Sequence, residues 1–169
     1  EYAEDEDDPL SIAFRLFDRT GYGEHALGRP VIGSRRAITQ IARADLAGYV
    51  NAHYTGANLI VGAAGRIDPQ TIVRAAEAAF GDMPRGSENI VDAPLWRGGL
   101  RVRRIDGSPQ AHLVIGFPIA ALREGRHDGI VAAAMFGEGM SSPLMDQIRE
   151  RRGLAYYAAC SADLYELCG

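Results

Sequence analysis

Ala57-Asn-Leu-Ile-Val-Gly-Ala-Ala-Gly65 carries no charge, and after Arg66-Ile67 the chain continues Asp68-Pro-Gln-Thr-Ile-Val-Arg-Ala-Ala-Glu-Ala-Ala-Phe80-Gly81. The first piece is short, apolar and closed by glycine, which is the pattern of a buried strand. The second carries helix punctuation at both ends. Asp68 stands at the cap, Pro69 at the first helical position, and Gly81 at the place of a left-handed stop. Ile72, Val73, Ala76 and Phe80 form an apolar stripe along one side. A strand running straight into an amphipathic helix sets the expectation for the fold class, α+β.

Upstream, residues 44–54 (ADLAGYVNAHY) predict a helix with Leu46, Tyr49, Val50 and His53 on one side. Residues 9–17 (PLSIAFRLF) predict another, with Pro9 in the first turn and Asp7 and Asp8 available as caps. Leu10, Ala13, Phe14 and Phe17 follow helical spacing and are the expected buried stripe. Thr20 to Ser34 is rich in glycine and reads as loop.

Downstream, Asp82 to Gly99 is rich in Pro and Gly and reads as a linker between two lobes. Leu100 to Ile105 alternates apolar residues with Arg, Asp106-Gly107 is a turn signal, and Gln110 to Phe117 is the expected return strand. A helix is expected over about 127–136, and another from Ser142 with Pro143 first and Gly153 just past its end. Ala155 to Ala162 is the last expected strand. The expectation is therefore two partial lobes, 1–81 and 100–169 joined by 82–99, each with helices packed on a mixed or antiparallel sheet.

Composition narrows the function classes. With 47% apolar and 24% charged residues the chain has the balance of a soluble globular protein. The net charge of -4 and the scattered basic residues argue against nucleic acid. The basic clusters are small: Arg101, Arg103 and Arg104, then Arg149, Arg151 and Arg152. Ile130 to Phe136, the longest apolar run, is far short of a membrane span. A soluble cytoplasmic or periplasmic location fits, and the sequence does not choose between them. Cys160 and Cys168 are spaced too widely, with no His or Cys nearby, for a zinc pair. They are read as buried free thiols, with a disulfide left open. The chain opens without Met and stops after a strand-like run, so an internal piece of a longer protein is expected.

Two stretches resemble the pitrilysin/insulinase (inverzincin) family of zinc metallopeptidases. The first is Glu1-Tyr-Ala-Glu-Asp-Glu-Asp-Asp-Pro9, then Glu24-His-Ala-Leu-Gly-Arg-Pro-Val-Ile-Gly33, His53-Tyr54, Asn58-Leu59 and Gly65-Arg-Ile-Asp68. The second is Phe136-Gly-Glu-Gly-Met-Ser-Ser142 leading to Ile148-Arg-Glu-Arg-Arg-Gly-Leu-Ala-Tyr156. Ala42 and Pro143 depart from the family pattern locally. The resemblance implies a metalloendopeptidase in which two homologous halves close on a peptide. This chain would span the end of the first, zinc-bearing half and the start of the second.

The family's zinc motif is His-x-x-Glu-His on a helix, where two histidines bind the metal and the glutamate acts as general base. None of the four histidines (25, 53, 112, 127) stands in such a motif. The chain alone is therefore expected to be inactive, with no catalytic residue of its own and no zinc bound. The resemblance places Glu1 at the third zinc ligand of the intact parent. It places Arg149 and Tyr156 at a pair presented toward the peptide, a guanidinium for a carbonyl and a phenol for the oxyanion. Tyr157 is the rival, because alternation along a strand lets only one of the two tyrosines face substrate. Glu4 and Glu6 are expected on a solvated acidic face, and His25 and His53 in packing or capping roles. Gly137, Gly139 and Ser141 lack the lysine of a phosphate loop. The expected partners are a peptide and the remaining halves of the parent, or a homologous subunit in a homo- or heterodimer. The alternative is a non-catalytic partner subunit or scaffold that supplies the Arg/Tyr pair.

Overall fold

Asp8 begins the longest helix of the chain by satisfying its first free amides. In the computed structural model, which describes residues 1–169, its carboxylate accepts from Leu10 N at 3.2 Å and Ser11 N at 3.0 Å. Pro9 follows at the first helical position of α2 (Pro9–Tyr22), after a short α1 (Tyr2–Asp7). Gly23, at φ 61°, closes α2 with its N–H on Arg19 O at 3.1 Å. The chain divides into two compact units, Glu1–Ile32 with Ala93–Gly169, and Gly33–Asp92.

In the first unit, α2 buries Ile12 and Tyr22, whereas Leu10 and Phe14 of the expected stripe lie exposed. The face is rotated because Arg15 is drawn inward. Its guanidinium donates to Asp5 O at 3.1 Å and to Glu6 Oε1 at 2.7 Å, and it pairs with the Asp5 carboxylate. Glu6 is thus not on a solvated face; it is bridged to Arg15 and reaches Arg103 at 3.7 Å. At the far end of α2, Trp96 stands edge-on to Tyr22, 5.4 Å between ring centroids, and 5.7 Å from Phe17. Arg97 N donates to Gly21 O at 2.8 Å. The chain thus reads onward from Ala93 along the end of α2.

The rest of this unit holds α6 (Asp128–Gly137) and α7 (Pro143–Met145). Ser142 caps α7 by accepting from Met145 N at 3.3 Å. The helix then widens into a π turn over Asp146–Glu150, closed by Arg151 N on Asp146 O at 2.9 Å. Ala133 and Met145 are buried here. The C-terminal segment is held by single bonds, including Cys160 N to Gly137 O at 3.3 Å and Leu122 N to Tyr165 O at 2.9 Å.

The second unit contains α3 (Arg35–Gln40), α4 (Arg43–His53) and α5 (Pro69–Phe80). Asp68 caps α5 from the side chain as expected, with Gln70 N at 3.3 Å and Thr71 N at 3.1 Å. Gly81 does not take the left-handed stop expected of it; it stays right-handed at φ -59°. The loop after α4 is fastened by Asn58, whose amide donates to Ser87 O and accepts from Asn89 N, at 2.9 and 2.8 Å. Apart from Thr55 the unit buries almost nothing, and Leu46, Tyr49 and Val50 of α4 are exposed.

The expected sheets are absent. No residue lies in a strand, so by regular structure the chain is all-α, not α+β with lobes packed on sheets. The stretches 57–65, 100–105, 110–117 and 155–162 carry no ladder of hydrogen bonds. Alternating apolar residues specify which side chains share a face, but a strand exists only when a second backbone about 4.8 Å away exchanges hydrogen bonds with it. Asp106-Gly107 does turn, with Gly107 at φ 79°, yet the flanking chains do not pair. Leu100, Val102, Leu113 and Ile115 are each at least 70% exposed. No helix is long and apolar enough to cross a membrane.

Candidate functional site

Arg149 and Tyr156 meet. Arg149 sits in the π turn after α7, and Gly153, at φ 59°, turns the chain back with its N–H on Arg149 O at 3.1 Å. Leu154 N on Ile148 O at 2.9 Å closes the same loop. The return brings the Tyr156 ring under the guanidinium, with Arg149 Cζ 4.7 Å from the ring centroid. A cation over an aromatic face at this distance gains about 0.5–1 kcal/mol where solvent reaches it. Arg149 Nε also faces Glu150 Oε1 at 3.3 Å. The pair is open to solvent on the tyrosine side, where Tyr156 is 83% exposed. Tyr157 is exposed as well, without the arginine contact.

The floor of this region depends on close backbone approach. Ala158 N lies 3.3 Å from Met145 Sδ, and Cys160 abuts Gly137 so tightly that a Cβ there would stand 2.3 Å from both Cys160 Cβ and N. The glycine after Phe136 thus lets residues 158–160 lie against the end of α6.

Glu1 lies at the chain terminus with its side chain 97% exposed, and its ammonium faces Glu4 Oε2 at 3.2 Å. No three His, Cys, Asp or Glu side chains are grouped so as to hold a metal ion. Zinc needs three or four such donors, so this chain's residues do not by themselves fit it. His25 caps the turn Ala26–Gly28 by accepting Leu27 N at 3.2 Å. His53 bonds Asn89 Oδ1 at 2.7 Å and stacks on Tyr49. Cys160 and Cys168 are free thiols, half-buried rather than buried as expected.

A second group of titratable residues gave no sequence motif. Asp18, Tyr22, Asp163, Tyr165 and Cys168 interact at the end of α2. The Cys168 thiol donates to Tyr22 Oη at 3.9 Å. Burial, then Asp163 beside it, pushes the Asp18 carboxyl above the usual carboxylate range. Burial likewise raises both phenols, Tyr22 far above its ordinary value. The only early signal was Trp96, the sole tryptophan, standing in a Pro- and Gly-rich segment where so large a ring needs cover.

The family model for the peptidase M16 inactive domain matches residues 40–169. The chain belongs to this peptidase M16 family, in agreement with the pitrilysin/insulinase resemblance of its motifs. An uncharacterized zinc protease of Streptomyces coelicolor is 33% identical over 179 residues, covering 100% of this chain and 39% of its own length. The uncharacterized zinc protease YmxG of Bacillus subtilis is 30% identical over 166 residues, covering 97% of this chain and 40% of its own. The chain thus spans about two-fifths of the relatives it matches. Its path follows that of a protease from Helicobacter pylori, with TM-score 0.75 and 18% identity over 96% of this chain and 41% of that one. It also follows the peptidase M16 inactive domain from Pseudomonas fluorescens, with TM-score 0.69 and 16% identity over 92% of this chain and 39% of that one.

Proposed function

We propose that this chain is the peptide-positioning part of a zinc metallopeptidase whose metal is held elsewhere in the parent. The observation that carries the reading is the stacked pair, Arg149 over Tyr156 at 4.7 Å. The ring holds the guanidinium by one cation–π contact, while its outer N–H groups can donate to a peptide carbonyl, a charge-assisted bond. The exposed phenol beside it can donate to the same oxygen as charge grows there. Holding a carbonyl in one orientation is a real contribution to peptide hydrolysis, but it needs a nucleophile that these residues do not supply. Glu1 is the one carboxylate proposed as a ligand to the parent's zinc, and in this chain it stands alone.

The test is Arg149→Ala in the full-length parent. Losing one charge-assisted hydrogen bond of about 1.5–3 kcal/mol lowers kcat/KM roughly 10- to 100-fold. Zinc content stays unchanged. An unaltered kcat/KM removes Arg149 from the site. The purified chain with added zinc is expected to cleave no quenched peptide, and chelator-sensitive cleavage by it overturns the division of labour.

A second reading is favoured by the family description, an inactive domain. Here the parent is a non-catalytic subunit that lends Arg149 and Tyr156 to a homologous partner. Under that reading the parent lacks a zinc-binding His-x-x-Glu-His motif and peptide hydrolysis appears only after mixing with the partner.

A further inference from the structure

Four arginines from three separate parts of the chain line one open cleft of about 260 Å³ in the first unit. Arg15 and Arg19 come from α2, Arg29 from the loop that follows, and Arg103 from the small basic cluster that the peptidase reading leaves unused. Between them lies an apolar floor: Ile12, which is 4% exposed, with Leu16 and Pro30. Arginine stems lie along apolar surface while their heads stay polar, so the cleft sets a charged rim around an apolar floor.

Local acids do not neutralise the cleft. Asp5 and Glu6 serve Arg15, with Glu6 also 3.7 Å from Arg103. Glu24 serves Arg19. Arg29 meets only a carbonyl, Glu24 O, at 3.3 Å. Four positive charges thus face three negative ones: Arg29 has no carboxylate beside it, and Arg103 has only Glu6, at 3.7 Å and shared with Arg15. That count selects a monoanion, because a dianion would leave the site net negative. Leu16, half-buried, and Pro30, exposed, select a ligand with a hydrocarbon body behind its charged end, since a bare inorganic ion would leave them wet.

We propose that this cleft binds an apolar monocarboxylate, its carboxylate on Arg29 and Arg103 and its hydrocarbon part over Ile12, Leu16 and Pro30. Two sources share this chemistry, the C-terminus of a peptide ending in an aliphatic residue and a free fatty acid. Planar guanidiniums match a carboxylate in shape as well as charge. The site is independent of the Arg149 pair and stands whether or not the parent is a peptidase.

The test is isothermal titration calorimetry on the 169-residue chain. Four probes are compared: N-acetyl-Ala-Ala-Leu as free acid, the same peptide as its C-terminal amide, octanoate, and inorganic phosphate. Saturable binding of the free acid or of octanoate is expected, and the tighter of the two names the source. The amide binds at least tenfold more weakly than the acid if the peptide is the source. Arg29→Gln and Arg103→Gln each weaken the preferred carboxylate at least tenfold with the helical circular dichroism unchanged, whereas Arg126→Gln, outside the cleft, does not. The comparison of acid with amide needs no variant, so an unfolded mutant cannot obscure the result. Four outcomes overturn the proposal: neither carboxylate binds, acid and amide bind equally and octanoate does not bind, phosphate binds tighter than both carboxylates, or both folded glutamine variants keep full affinity.

Discussion

Replacing Gly21 by alanine sets helix propensity against packing, and the two forces predict opposite signs. Gly21 lies inside α2, one residue from its end, and propensity alone favours alanine there by up to about 1 kcal/mol. The methyl group, however, would sit 2.3, 2.7 and 2.9 Å from Cζ3, Cη2 and Cε3 of Trp96. No carbon can stay that close. If the ring holds its place, α2 or the segment after Ala93 must shift, at the overpacking cost of about 1–3 kcal/mol. If Trp96 swings out, its contacts with Phe17 and Tyr22 are lost, each worth about 0.5–1.5 kcal/mol beyond buried area. Either route outweighs the propensity gain, so Gly21→Ala is expected to be neutral to destabilising, by about 0–2 kcal/mol.

Gly48 is the matched control. It lies inside α4, and a Cβ there meets nothing within 4 Å. Gly48→Ala should therefore show the bare propensity gain of about 0.5–1 kcal/mol. Urea unfolding followed by circular dichroism measures both. Trp96 is the only tryptophan, so its emission separates the two routes, moving to the red only if the ring is expelled. Removing the obstacle in the double variant Gly21→Ala/Trp96→Ala should restore the gain relative to Trp96→Ala alone, a coupling visible in the double-mutant cycle. If Gly21→Ala stabilises as Gly48→Ala does, with emission unmoved, the docking of Trp96 on α2 is refuted.

The pH predictions follow from burial and capping. Asp18 has its folded pKa raised, chiefly by burial, so folding disfavours its charge and stability falls as pH rises through that window. Asp18→Asn should then raise Tm at pH 7 and leave it unchanged below the ordinary carboxylate range, and an equal effect at both pH values sinks the assignment. Asp8 and Asp68 behave oppositely: the Ser11 and Thr71 hydroxyls, donating to them, hold both below the usual range. Their contribution is complete above the unfolded pKa of 3.8 and is lost as pH falls through the lower folded value. Asp68→Ala should flatten that acid-side loss of helicity in far-ultraviolet circular dichroism, while Asp68→Asn, which can still cap, keeps helicity at pH 7. Gly137→Ala should expose Cys160, because its methyl group overlaps Cys160 Cβ, and faster reaction of that thiol with a disulfide reagent reports it.

The helices were legible because the signals that start them are local. Asp8-Pro9, Asp68-Pro69 and Ser142-Pro143 each place an acceptor before a residue with a fixed φ and no N–H, and all three begin helices in the structure. Which face of a helix is buried was less legible, because that is decided by what arrives from elsewhere. Leu10 and Phe14 fit the period, but Arg15 is claimed by Asp5 and Glu6, and Trp96 takes the far end. The strands failed for the same reason in stronger form. Leu100, Val102, Leu113 and Ile115 alternate as strand residues do, yet a ladder needs a partner backbone, and periodicity does not say where one is. Gly81 shows the smaller version of this error: the residue permits a left-handed stop, and the backbone does not need one.

The candidate site divides along the same line. Arg149 and Tyr156 are seven positions apart, and sequence likeness alone could not place one against the other. The contact follows from two local facts, the wide π turn that sets Arg149 and the positive φ of Gly153 that reverses the chain. Both were written in the short run from Ser142 to Gly153, so this half of the site is a local property and survives in a chain spanning two-fifths of its relatives. A metal site is not local in that sense. Glu1 is at most one proposed donor, and zinc affinity comes from several donors converging on one point, so a ligand role for Glu1 depends on other residues. A chain can therefore keep the Arg149–Tyr156 contact while holding no metal centre, and an assay of peptide binding tests the proposed role of that pair where an assay of turnover cannot. Binding of a non-cleavable peptide that is lost with Arg149→Ala is the expected result, and binding indifferent to that change would mean the stacked pair is only a fold contact.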